Sequence, residues 1–104
     1  MIEEKGLEVV AMTIIANSGD ARSLAYQALE KAKAKEFDAA DELIKKSDEA
    51  SKIAHQAQTD VMIKEANGEK QELNVLFVHS QDHLMTSILA VELIKELIIM
   101  YKEK

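Results

Sequence analysis

The chain has 104 residues, a formal net charge of -6, and no Cys, Pro or Trp. That length suits one domain over residues 1–104, and the absence of Cys excludes a disulfide framework, thiolate zinc sites and a Cys nucleophile. With 13 Lys plus Arg against 19 Asp plus Glu, and Arg22 the sole Arg, there is no continuous basic surface for a nucleic acid; no apolar run nears the roughly 18 residues that cross a bilayer, and the first residues lack a cationic segment followed by an apolar one, which together point to a cytoplasmic protein without membrane insertion.

Turn formers are so scarce that almost the whole chain is expected to be helical. A first helix is predicted from about residue 3 to 34, with Gly6 in its first turn and a break or kink at Asn17-Ser18-Gly19-Asp20, where Asp20 would cap the resumed helix. Its core stripe reads Leu7, Val10, Ile14, Ile15, Leu24, Ala28 and Leu29. The link Lys35-Glu36-Phe37-Asp38 has neither Gly nor Pro and is placed by its charge cluster and by Asp38 as a cap. A second helix follows over about 37 to 66, with a seam at Ala40, Leu43, Ser47, Ala50, Ala54, Ala57 and Val61 whose small residues predict close helix approach. Its other face, Asp41, Lys45, Asp48, Glu49 and Lys52, reads as solvated surface. Asn67-Gly68 is a helix stop. The third helix is predicted to start near Gln71 and run to the C-terminus, about 30 residues or roughly 45 Å. Short links make neighbours antiparallel, so the expected fold is an all-α, antiparallel three-helix bundle.

The third helix is apolar around most of its circumference. Stepping about 100° per residue from Leu73, its polar residues Asn74, Gln81, Glu92, Lys95, Glu96 and Glu103 gather near 90° and form a wet face. Two neighbouring helices can cover only part of the apolar remainder, which predicts a homo-oligomer built around this helix. Opposite the wet face, on what reads as the most buried side, lie His79, Asp82, His83 and Thr86. Two His one turn apart with an Asp between them need partners if buried, and they concentrate the chain's chemistry.

A neutral imidazole, with an ordinary pKa of about 6.5, offers a ring nitrogen as nucleophile or metal ligand. Ser80 and Ser87 sit on no strand-to-helix elbow, so serine hydrolysis has no support. His79 and His83 share a helix face as zinc ligands do, but the run His79-Ser80-Gln81-Asp82-His83 is not the H-E-x-x-H pattern. Two readings stand: nucleophilic group transfer, or a metal-binding or structural helical oligomer with His79, Asp82 and His83 as ligands or buried struts. On the residues alone, a hydrogen bond to a neighbouring Thr or Gln accounts for Asp82. Met12, Met62, Met85 and Met100 read as core filling. His55, one residue off the second helix's seam, fits a structural role and a role near the site equally well.

Val78 through Thr86 resembles the signature V-H-(A/S)-Q-D-H-L-M-T of the enzyme IIA component of the lactose/cellobiose class of the bacterial phosphoenolpyruvate-dependent sugar phosphotransferase system. Ser18 through Ser23 is similar to that family's S-G-(D/N)-A-(R/K)-S segment, and Ala54 through Thr59 to its A-H-x-x-Q-T segment, so the resemblance is colinear over essentially the whole chain. It implies a homotrimer of three-helix protomers that takes a phosphoryl group from phospho-HPr onto His79. From there the group would pass to a Cys of a IIB protein or domain, for uptake and phosphorylation of a disaccharide. It also implies that Asp82 points to the trimer axis, where three copies share a divalent cation, with magnesium the first choice. His83, Gln58 and Thr86 would support the site, with Gln58, Thr86 or a backbone carbonyl fixing the His79 tautomer. Arg22 is far off in sequence, so backbone amides near the Ser18-Gly19 kink or groups of the partner would stabilise the added charge.

Overall fold

A computed structural model describes the backbone of residues 2–104 and the side chains from residue 6 onward, so the reading of residues 1–5 as lacking an export signal lies outside the described side chains. Three helices, α1 (Ile2–Lys33), α2 (Phe37–Ala66) and α3 (Val75–Lys102), form an elongated bundle of 53 × 20 × 19 Å. α1 packs along both α2 and α3, whereas α2 and α3 touch sparingly. The all-α, three-helix expectation holds, and among the described residues there is no strand.

α1 buries Leu7, Ala11, Ile14, Ser18, Ala21, Ala25, Ala28 and Ala32. These positions alternate in spacings of four and three without losing step across residues 17–20, and the helix is unbroken there. The expected break or kink at Ser18-Gly19 and the Asp20 cap are therefore corrected: Asp20 is an exposed mid-helix residue. A mid-helix Gly costs about 1 kcal/mol relative to Ala. Burial of a continuous seam on both sides outweighs that cost. The neighbouring polar side chains bond within the helix, Asn17 Nδ2 to the Thr13 carbonyl at 2.9 Å and Thr13 Oγ1 to the Val9 carbonyl at 2.9 Å.

The second helix falls where the sequence placed it, and Ala40, Ser47, Ala50, Ala54 and Val61 of its seam are buried. The core divides in two. Near the α1–α2 link, Ala21, Ala25, Ala28 and Ala32 meet Ala40, Ala50, Val91, Ile94 and Ile98. At the other end Leu7, Ala11 and Ile14 meet Ala54, Val61, Phe77 and Leu84. With so many alanines at the contact, α1 and α2 approach closely enough for the buried Ser47 hydroxyl to donate to the Ala21 carbonyl at 2.6 Å. Ser18 Oγ and Ser87 Oγ are buried without a hydrogen-bond partner among the described residues.

Both links close the preceding helix in the same way. After α1, Lys35 N–H donates to the Ala32 carbonyl and Glu36 N–H to the Lys31 carbonyl, with Lys35 at φ 62°. After α2, Gly68 N–H and Glu69 N–H repeat the pattern on Glu65 and Lys64, with Gly68 at φ 90°. This is the paired closure that favours Gly in the left-handed position. Asp38 is not the cap expected of it: Glu36 occupies the N-cap without a side-chain bond, and Asp38 lies in the first turn, where its charge suits the helix dipole. α3 begins at Val75, not near Gln71, because Asn74 caps it by accepting the Phe77 N–H at 2.8 Å.

The face of α3 turned into the bundle is Phe77, Ser80, Leu84, Ser87, Val91, Ile94 and Ile98. The residue spacing predicts His79, Asp82, His83 and Thr86 on the most buried side. His79, Asp82 and Thr86 are instead exposed and His83 half-buried. A helix apolar nearly all round offers more than one candidate inner face. Here the face with two serines goes inward, since small side chains let α3 lie close to its neighbours.

Candidate functional site

His79 and His83 stand one turn apart on α3, and their rings meet edge to face at 86°, with centroids 4.5 Å apart. Nε2 of one lies 3.0 Å from Nε2 of the other. A hydrogen bond between two such nitrogens requires one to carry the proton and the other to present a lone pair, so the two rings hold opposite Nε2 protonation. His79 is exposed; its ring partner among the described residues is His83 and not Gln58 or Thr86.

The Thr86 hydroxyl is occupied with its own helix, donating to the Asp82 carbonyl at 2.7 Å. Gln58, on α2, donates its amide to Gln81 of α3. Gln81, expected on the wet face, is half-buried and crosses to α2. Lys95, from the same face, is likewise spent on Asp48 of α2 at 2.7 Å, and Lys102 on Asp41 at 2.8 Å. The polar stripe of α3 thus flanks α2, and part of the charged surface of α2 pins α3. The sign of this lay in the sequence, where the carboxylates and amide of α2 descend as the Lys and Gln residues of α3 climb.

Asp82 belongs to a different line of α3. It is exposed, and along the same line follow Leu89 and Leu93, each 56% exposed, and Met100 at 61%. The carboxylate makes no hydrogen bond or ion pair among the described residues. Met12, Met62 and Met85 are also exposed, which corrects their assignment, with Met100, to the core: the positions that face inward on each helix are filled by Ala, Ser, Leu, Ile, Val and Phe. The Ser18-Gly19 amides belong to an unbroken helix and are not free to hold a charge. His55 is exposed on the wall of an open groove between α2 and α3, beside Gln58, Met62 and Met85. No three His, Asp or Glu side chains converge as a metal site among the described residues, so one chain does not assemble the ligand set that the metal-binding alternative requires.

These features define a class: a small helical protein that presents a surface imidazole, steadied by a second one, with neither the strained loop of a hydrolase nor the ligand cluster of a metalloenzyme among the described residues. Residues 9–102 match the family described as PTS system, Lactose/Cellobiose specific IIA subunit. The chain is 47% identical over 94 residues to the lactose-specific EIIA component of the PTS system of Streptococcus mutans serotype c, covering 90% of each protein. Its fold is similar to the crystal structure of the PTS cellobiose-specific enzyme IIA from Bacillus anthracis, with a TM-score of 0.89, 45% identity and coverage of 93% and 89%. It is also similar to the solution structures of the IIA(Chitobiose)–HPr complex of the N,N'-diacetylchitobiose branch of the Escherichia coli phosphotransferase system, with a TM-score of 0.81, 46% identity and coverage of 93% and 94%. The chain belongs to the lactose/cellobiose-specific IIA family and is a component of a sugar phosphotransferase system. Among the described residues no helix is long and apolar enough to cross a membrane.

Proposed function

We propose that the chain is a cytoplasmic phosphocarrier that accepts a phosphoryl group from phospho-HPr on His79 and delivers it to a Cys of a cognate IIB unit, serving uptake of a disaccharide of the lactose, cellobiose or chitobiose class. The observation that carries this reading is the exposed His79 ring whose neighbour His83 lies 3.0 Å away, Nε2 to Nε2. With His83 donating, the His79 Nε2 keeps a lone pair. Once the His83 N–H turns off it, that pair attacks phosphorus, the bond from phosphorus to the donor imidazole breaks, and its electrons stay with the donor. The His83 N–H then faces the phosphoryl oxygens and holds them. A phosphorus–nitrogen bond of this kind is itself at high transfer potential, so the protein's share is orientation. Incubation with phosphoenolpyruvate, enzyme I and HPr should add one phosphoryl mass that is acid-labile and base-stable. His79→Ala should lose it while folding normally; persistence of the added mass in that variant overturns the assignment.

The outward line of α3 supports a homotrimer in which Leu89, Leu93 and Met100 are covered by other copies and Asp82 approaches the axis. Three carboxylates about 4 Å apart repel by roughly 4 kcal/mol per pair at an effective dielectric near 20. One carboxylate per chain fits a cation only where copies converge, and an oxygen-only set suits magnesium or calcium. Light scattering with metal analysis tests both points: a trimer holding one divalent ion per three chains is expected, and Asp82→Asn should release the ion.

A further inference from the structure

The Gln58–Gln81 contact is the first link of a polar chain. Gln58 Nε2 donates to Gln81 Oε1 across α2 and α3, and Gln81 Nε2 donates to Ser80 Oγ at 3.3 Å. The buried Ser80 hydroxyl donates to the Phe77 carbonyl at 2.5 Å, and Phe77 N–H donates to the Asn74 cap at 2.8 Å. The links all point the same way, and they run from α2 into the first turns of α3, on both sides of His79 in sequence. The other ties between these helices among the described residues, Lys95 to Asp48 and Lys102 to Asp41, lie several turns further along α3. Beside the bridge, an open groove lined by His55, Thr59, Met62, Met85 and Ile88 separates the two helices. Among the described residues, the polar tie between α2 and the part of α3 that carries His79 is therefore one pair of half-buried amides, set beside the apolar cluster of Ala54, Val61, Phe77 and Leu84.

We infer that the Gln58–Gln81 bridge is a positioning device for phosphoryl transfer: it sets the rotation and depth of the first turns of α3, and with them the angle at which His79 meets the incoming phosphorus. Gln58 and Gln81 act through the helix and are positioning residues. The inference rests on the phosphocarrier reading. Orientation is where a carrier of this kind spends its binding geometry, and a small rotation of α3 moves the imidazole by an appreciable fraction of the attack distance. Two neutral amides suit the task, because each satisfies the other in a partly buried place where a lone charge would be costly.

The test is a double-mutant cycle with Gln58→Met and Gln81→Met, near-isosteric replacements without hydrogen bonds, read as the rate of phosphoryl acceptance across phospho-HPr concentrations. Each single variant should lower kcat about tenfold and leave KM within about twofold, and the double variant should be no slower than the worse single. Gln58→Ala and Gln81→Ala replace a methionine variant that does not fold by circular dichroism. A Gln58 variant with unchanged kcat, effects that multiply in the double variant, or a change confined to KM overturns the inference. If wild-type protein takes no phosphate, the carrier reading falls. The His79 imidazole nitrogen shifts still test the bridge: they should move with either substitution and no further with both.

Discussion

Ser80, Leu84, Ser87, Val91 and Ile94 along one line of α3 are buried in the bundle, whereas Asp82, Leu89, Leu93 and Met100 along the opposite line meet solvent in the protomer. Both lines carry enough apolar surface to be an inner face. They differ in side-chain size: the inner line intersperses serines that let helices approach, and the outer one carries long side chains that would hold a neighbouring helix away. Hydrophobicity alone does not separate a core face from a contact face, but bulk at the contact does.

Substitutions on the two lines should have separable consequences. The largest effect on the protomer is expected from Leu84→Ala, whose 1% exposed side chain fills the core with Ile14, Ala54 and Phe77. It should cost about 2–5 kcal/mol in urea unfolding, and a loss below about 1 kcal/mol would blur the distinction between the lines. On the outer line, Leu93→Asp should keep the helical circular dichroism intact and weaken self-association by about tenfold or more, read as average mass by light scattering against dilution. If the protomer unfolds instead, Leu93 belongs functionally to the core. Ser87→Ala removes a buried hydroxyl that has no partner among the described residues and should raise stability by about 1 kcal/mol. The smallest expected change is from Lys35→Gly at the α1–α2 link, which belongs to neither line. It relieves a positive φ that Gly68 accommodates freely in the corresponding place after α2, and should gain about 0.5–1 kcal/mol as a rise in Tm.

Much of the fold was legible in residue spacing. The seam from Ala40 to Val61 and the stop at Asn67-Gly68 place α2 correctly, and the nine residues from Val78 carry the family resemblance that the comparisons bear out. Gly19 is a local breaker by residue type, but whether it breaks the helix depends on whether the buried seam on its two sides stays in register. It does, from Ile14 through Ser18 to Ala21. The start of α3 slipped because Asn74 is a better cap than anything near Gln71. At the site, the pairing of His79 with His83 follows from one helical turn. The pairing of Gln81 with Gln58 does not, since it depends on which face of α3 turns toward α2, and a helix apolar nearly all round leaves that face open in the residue spacing.

The run of alanines along α1 gives the interior an asymmetric tolerance. Ala21, Ala25, Ala28 and Ala32 have scarcely any atoms to lose, so truncation there can hardly open a void. Growth is another matter: even a valine at one of these places would wedge two rods apart along their length. An error in bulk at Ala25 could then tilt α3 and disturb a ring several turns away that it never touches.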